Sequence, residues 1–293
     1  MISLVKRNLI YNIRDRVAFI LSFLSVIILL IIYKAFLSDF QVDELKKAAH
    51  SSNISQSGMD MINLWLVAGL IIVISVTTTL SGFGVMIEDK ENKKVNDFRL
   101  SSISSFKLMI SYYLSSFILG IIILFVAFIL AISIFVGIDE IINIDFIEWL
   151  KIISILILSN LFGVSFGLLL ANILSTRSSF ATASTIVGTL VGFLAGVYIT
   201  IGNLGATISK IILILPMIHI AALLKQILMK DKVNDFFANV PGQYQENYEK
   251  TYGIYLYWEN VAISNFTSIT IIIGWILLIL IINVLIITIQ RRN

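Results

Sequence analysis

The chain has 293 residues, two histidines (His50 and His219) and no cysteine. That leaves little material for metal or nucleophile chemistry. Thiolate ligands and disulfides are impossible, and neither histidine has companions at metal-ligand spacing. The patterns GxxxxGK[ST], HExxH and GxSxG are all missing, so neither a P-loop, a zinc-protease helix nor a nucleophile elbow is present. What the sequence does offer is charge gathered in one place. Nine charged residues stand between Glu88 and Lys107: Glu88, Asp89, Lys90, Glu91, Lys93, Lys94, Asp97, Arg99 and Lys107. Val95, Phe98, Leu100, Ile103 and Phe106 are interleaved with them. Their spacings of mostly three suit one face of a short helix, and a mixed-charge surface with an apolar face suits docking into a groove on another protein.

The elements around this block are oily. The chain is 58% hydrophobic and 13% charged, against about 25% charged in a soluble domain. Charge-free windows cover Val17–Tyr33, Met61–Ile87, Leu108–Ile138, Ile152–Thr176, Ser178–Ser209 and Asn260–Gln290. Crossing a bilayer takes roughly 20 mostly apolar residues. The first window falls slightly short, but it is extended through Leu37 because Lys34 can snorkel to an interface. The expectation is an all-α polytopic membrane protein forming one transmembrane domain. Its six spans are 17–37, 61–87, 108–137, 150–174, 178–201 and 261–289.

Six spans place both termini on one side of the membrane. With that side cytoplasmic, the inner segments 1–16, 88–107, 175–179 and 291–293 hold 12 Lys and Arg against 5 Asp and Glu. The rest of the chain holds 9 and 13. Lys and Arg gather on the cytoplasmic side of membrane proteins, so the topology reads N-in, C-in, and the basic balance does not call for nucleic acid. No cleavage site follows the first apolar run, which reads as a retained helix. Residues 1–16 space Val5, Leu9, Ile10 and Ile13 helically among basic residues, as an interfacial helix would.

Other features point to packing. Ser75, Thr77–Thr79 and Ser81 put hydroxyls inside the second span, where bonding back to the helix's own carbonyls is the simplest use. Asn160, Gly163 and Gly167 mark the fourth span. Ser184, Gly188, Gly192 and Gly196 repeat at every fourth position of the fifth, a pattern that lets helices approach closely within or between subunits. The uncharged run between Lys210 and Lys225 is 14 residues long, too short to span, and Pro216 divides it. We therefore expect re-entrant or interfacial helices over 206–229, carrying Pro216 and His219, then a Tyr-rich outer segment over 230–259. The middles of the spans carry no ionisable residue, so no proton or sodium coupling site is visible and any energy source must lie in another chain.

Three stretches carry a family resemblance. "LVKRNLIYNIRDRVAFILSFLSVIILLIIY", "WLVAGLIIVISVTTTLSGFGVMIEDKENKKVNDFRLSSIS" and "LILPMIHIAALLKQIL" resemble, in order, three parts of bacterial ABC exporter permeases of the type-2 class. These are the interfacial helix with its Arg-Asp pair, here Arg14-Asp15, the second span with its coupling loop, and the Pro-containing re-entrant helices. The resemblance is closest to the drug- and peptide-exporting branch of Gram-positive bacteria. It implies a multi-pass plasma-membrane permease with no catalytic residue and no cofactor of its own. ATP and Mg would be bound by two separate ABC ATPase subunits, and a second, identical or homologous permease would complete the complex. It also implies that Glu88, Asp89, Lys90, Glu91, Lys93, Lys94, Val95, Asp97, Phe98, Arg99 and Ile103, within a coupling loop over 88–106, engage the ATPase. A hydrophobic or amphipathic substrate would be exported by alternating access. The competing expectation is a sensor or immunity protein that binds a peptide at 230–259 without transporting it.

Overall fold

The computed structural model describes residues 1–14, 55–101 and 103–292, together with Ile28, Ile31, Ile32 and Ala35; for Arg99 and residues 290–292 only the backbone is described. The expected first span, 17–37, thus lies outside the described residues apart from those four, and Asp15 lies outside them altogether.

A short helix, α1 (Ile2–Arg14), precedes the bundle. Helix α2 (Gln56–Gly82) runs through Phe83 almost unbroken into α3 (Gly84–Glu91). It begins five residues before the expected Met61, for two reasons. Ser55 caps it by accepting from the Gly58 N–H at 3.3 Å, and Asp60 is partnered by Gln56 at 2.8 Å, so its charge does not stop the helix. A brief α4 (Lys94–Leu100) follows, then α5 (Ser105–Phe135), α6 (Ile138–Asn143) and α7 (Phe146–Ile173). Next come α8 (Arg177–Leu194), α9 (Ala206–Ile214) and α10 (Pro216–Leu228). The chain closes with α11 (Lys230–Phe237), α12 (Gly242–Thr251), a two-residue hairpin pairing Tyr257–Trp258 with Val261–Ala262, and α13 (Asn265–Arg292).

Among the described residues four helices are long and apolar enough to cross a membrane: Gln56–Glu91, Ser105–Phe135, Phe146–Ile173 and Asn265–Ile289. The pair α9–α10, bent by 86°, would make a fifth if it counts as one broken span. Pro216 sits in the first turn of α10, where its missing N–H costs nothing, and the bend falls there. Helix α8 ends at Leu194, short of the expected 201. Gly196 takes a left-handed φ of +68°, its N–H and that of Val197 cap the last carbonyls, and the chain turns away.

The bundle is organised around α2, whose apolar window is 94% buried, whereas that of α13 is 22% buried. Side chains from α5, α7, α8, α10 and α11 cover α2 on all sides. Close approach relies on small groups: a Cβ on Gly82 would lie 2.5 Å from Ser116 Oγ and 3.0 Å from Ser116 Cα. Polar side chains lock the contacts. Ser116 Oγ donates to the Thr79 carbonyl at 2.8 Å and Asn160 Nδ2 to the Phe117 carbonyl at 2.9 Å. Asn172 Nδ2 donates to Asn283 Oδ1 at 2.8 Å. Thr77, Thr78 and Thr79 all bond back to carbonyls four residues earlier.

At the end opposite α1, the 230–259 segment is folded onto the bundle. Trp65 Nε1 and Lys225 Nζ both donate to the Tyr252 carbonyl, at 2.8 and 3.0 Å, and the Lys225 ammonium lies 4.9 Å from the Trp65 ring centre. Tyr248 stacks on Tyr252 at 4.2 Å, and Lys232 bridges Glu140 at 2.9 Å. The buried Lys225 stands outside the spans that the sequence shows free of charge, at the end of the 14-residue run.

Gly82→Ala should lower stability by about 1–3 kcal/mol, because the new methyl meets backbone that cannot rotate away. Thermal unfolding in detergent checks this: a Tm within a degree of wild type would show that α2 and α5 are less tightly apposed than described.

Candidate functional site

The charged block folds into a compact cluster at the α1 end of the bundle. Its centre is Asp89, the last buried side chain of α3, only 1% exposed. Arg7 grips this carboxylate with both terminal nitrogens, Nη1 to Oδ2 at 2.6 Å and Nη2 to Oδ1 at 2.7 Å. The hydroxyl of Tyr112, from α5, donates to Oδ2 at 2.6 Å. A bidentate guanidinium and a phenol together satisfy the lone pairs that burial would otherwise leave bare. The hydrogen bond to Asp89 raises the pKa of Arg7, which keeps its charge at any physiological pH. The adjacent Asn8 donates through Nδ2 to Ser111 Oγ of α5 at 3.5 Å.

The same guanidinium lies 5.1 Å from the centre of the Phe98 ring, a cation–π contact that ties α4 to α1. Lys94 Nζ stands 3.7 Å from Glu88 and 4.0 Å from Asp89. Lys93 turns the chain between α3 and α4 with φ +60°, a left-handed residue that is not glycine, at a strain cost of about 1–2 kcal/mol. On the other flank Arg177, from the first turn of α8, bonds Glu88 at 2.6 Å and approaches Glu91 at 3.5 Å. Lys90 Nζ reaches the carbonyls of Ala171 at 2.5 Å and Asn172 at 3.3 Å, at the C-terminus of α7, where a cation complements the helix dipole. Five elements besides α3, namely α1, α4, α5, α7 and α8, are thus held through a single turn of acidic and basic residues.

The sequence-predicted docking residues divide in two. Glu88, Asp89, Lys90, Lys94, Val95, Phe98 and Ile103 turn toward the bundle, the last three packing on its apolar core. Glu91, Lys93 and Asp97 are exposed. So is Leu100, at 88%, and Phe106, at 52%. The expected single apolar face is therefore split, with Val95, Phe98 and Ile103 serving the chain itself and Leu100 and Phe106 left outward. Arg14 is exposed. Of the α8 glycines, Gly188 faces Thr77 and Gly192 faces Tyr198, both within this chain, and Gly196 forms the helix cap. His219 is buried, with Nε2 2.8 Å from the Leu213 carbonyl and Nδ1 3.0 Å from Ser268. Arg7, Tyr112 and Phe98's partnership with Arg7 are not visible in the sequence, because the contacts join residues up to 91 positions apart; the only local signal is the basic character of α1.

Beside the cluster, between α1, α2, α3 and α8, lies a cavity of about 420 Å³. Tyr11, Glu88 and Arg177 line it at its polar end, and Thr77, Leu80 and Phe180 line it further along.

Comparison with family models decides what kind of protein carries this cluster. The model of the ABC-2 family transporter proteins matches residues 38–289, most of the chain. The chain belongs to the ABC-2 transporter family. It is a multi-pass membrane permease of the ABC-2 type, a transporter component that is not itself catalytic, and membership implies association with an ATPase subunit. Comparison with curated proteins returned no match. Asp89 connects the α3–α4 turn to α1 and α5.

Asp89→Ala should destabilise this permease by roughly 2–4 kcal/mol, below the full cost of breaking a buried pair because Arg7 is 30% exposed. Glu88→Ala should cost below about 1 kcal/mol, since its partner Arg177 is 59% exposed. Amide exchange over Ile2–Arg14 should rise in the first variant and hardly change in the second. Equal effects in both variants would remove Asp89 from the centre of the cluster.

Proposed function

We propose that this chain is the membrane-spanning subunit of an ATP-driven exporter in the bacterial plasma membrane, with ATP and Mg bound by two separate ATPase subunits and a second permease completing the channel. The observation that carries this reading is the mounting of α4. Phe98 against Arg7, Lys94 against Glu88, and Val95 on the core hold it to the bundle, while Leu100 projects from its last turn. A short helix fixed on one side and presenting Asn96, Asp97 and Leu100 on the other suits a coupling helix docked in a groove of the ATPase. Movement of that helix is passed through Asp89 to α1 and α5, and through α3 directly to α2.

The cargo is an amphipathic or hydrophobic molecule such as a drug, a peptide or a lipid-like toxin. The 420 Å³ cavity supports this class, since Leu80 and Phe180 offer apolar walls and Glu88 and Arg177 a polar mouth. The exposed face of α8, with Thr182, Thr185 and Thr189 bonded back to their own helix and Ile186 and Leu190 between them, is the face turned toward the second permease. With the termini cytoplasmic, as the Lys and Arg distribution favours, the cavity opens inward and cargo leaves past α9–α12. The drug- and peptide-exporting branch of Gram-positive bacteria is the closest resemblance for such a system. A peptide-binding sensor would draw on its outer tyrosines, of which Tyr244 and Tyr255 are exposed but Tyr248 and Tyr252 are spent against the bundle, and this favours transport.

Leu100→Asp tests the docking assignment. Co-expressed with its partner ABC-type ATPase, the variant should retain at most a tenth of the ATPase that wild type co-purifies, with an unchanged Tm because the side chain is 88% exposed. Full retention of the ATPase by Leu100→Asp would refute the coupling role of α4. A wild-type chain that binds no ATPase would refute the exporter reading as a whole.

A further inference from the structure

A second cavity, of about 470 Å³, lies at the other end of the molecule, on the flank of α13. Leu213 and Ile214 of α9 form one wall, and Ile271, Trp275 and Leu278 of α13 form the other. Its depth comes from Gly274, where a Cβ would find nothing within 4 Å. The lining is almost wholly apolar. Trp275 could have offered a polar edge, but its Nε1–H is committed to the Ile214 carbonyl at 2.8 Å. That carbonyl ends α9 just before Pro216, so the indole both caps the helix and closes the groove with its ring.

The groove runs along α13 from Thr267 to Leu278. Eleven residues of helix rise about 16 Å, close to half of the roughly 30 Å hydrocarbon thickness, so the groove matches one leaflet. Trp258 stands at its mouth, where an aromatic ring belongs at a membrane interface. Beside that ring is an ion pair, Lys210 Nζ to Glu259 Oε1 at 2.7 Å, with the ammonium 6.0 Å from the Trp258 ring centre. Both charges are open to solvent, 46% and 64% exposed. A groove one leaflet deep, headed by one positive and one negative group, is complementary to a single kind of occupant.

We infer that this groove holds one acyl chain of a zwitterionic phospholipid, with the lipid phosphate on Lys210 and its ammonium on Glu259. The site is independent of the cavity at the α1 end and of the direction of transport. It would fix α9 and the hairpin to α13 through a bound lipid, in addition to the single Trp275 hydrogen bond.

The test uses the full chain reconstituted in vesicles of phosphatidylethanolamine doped with the same lipid carrying a diazirine on one acyl chain. Photolabelled peptides are mapped by mass spectrometry. Wild type should be labelled over 265–280 at least fivefold above the exposed face around Ile281 and Leu285, the open flank further along α13. Gly274→Leu places a side chain in the groove at a position where a Cβ meets nothing within 4 Å, so it should keep its Tm and lose that excess labelling. Glu259→Gln should raise competing label from a phosphatidylglycerol probe at least threefold, because the repulsion of an anionic head group is gone. Uniform labelling along α13 in wild type, undiminished labelling in Gly274→Leu, or no labelling because a second copy of the chain covers the groove would each overturn the proposal. So would equal phosphatidylglycerol labelling in wild type and Glu259→Gln.

Discussion

A carboxylate buried at the end of a membrane helix must be neutralised or the helix cannot end there. Asp89 is such a group, and its partners dictate how the α1 end of this permease is built. Arg7 has to come from α1, which fixes the N-terminal helix against the bundle. Tyr112 has to come from α5, which sets the depth of that helix beside α3. Once Arg7 is held, its free face is available to Phe98, and α4 is placed by that contact. Each step follows from the cost of an unpaired buried charge, several kcal/mol, which exceeds any single apolar contact made nearby.

The rest of the bundle obeys the same economy in a drier setting. Between apolar helices in lipid there is little hydrophobic drive, so close packing and interhelical hydrogen bonds decide which faces meet. Ser116 on the Thr79 carbonyl, Asn160 on the Phe117 carbonyl and the Asn172–Asn283 pair do this for α2, α5, α7 and α13. Asn172 stands beside the carbonyls that receive Lys90, so the polar contacts of the bundle interior run into the charged cluster without a break. Helix α3 is thereby tied to α7 and α13 as well as to α1.

The location of the charged cluster was legible in the sequence, because nine charges gather between two charge-free windows. Its orientation was not. Val95, Phe98, Leu100, Ile103 and Phe106 share a spacing, but the chain turns at left-handed Lys93 and again between Leu100 and Ser105. The break between Leu100 and Ser105 falls inside that spacing, so the five residues do not share one face. The break at Pro216 was legible in the sequence, and the two helices that meet there bend by 86°. The α8 glycines signalled close packing, and Gly188 and Gly192 are spent within the subunit, on Thr77 and Tyr198. The role of Lys225 was hidden because its acceptor, the Tyr252 carbonyl, is a backbone group that no side-chain pattern reports.

The central claim is that α4 is bound to its own bundle through Val95 and Phe98 and presents Leu100 to the ATPase. The chain contains no cysteine, so single cysteines introduced at 95, 98 and 100 can be cross-linked to the assembled ATPase without background. The account predicts cross-linking from position 100 and none from 95 or 98. Cross-linking from 95 or 98 with none from 100 would contradict it, placing the inward face of α4 against the ATPase and leaving Arg7 without its aromatic partner.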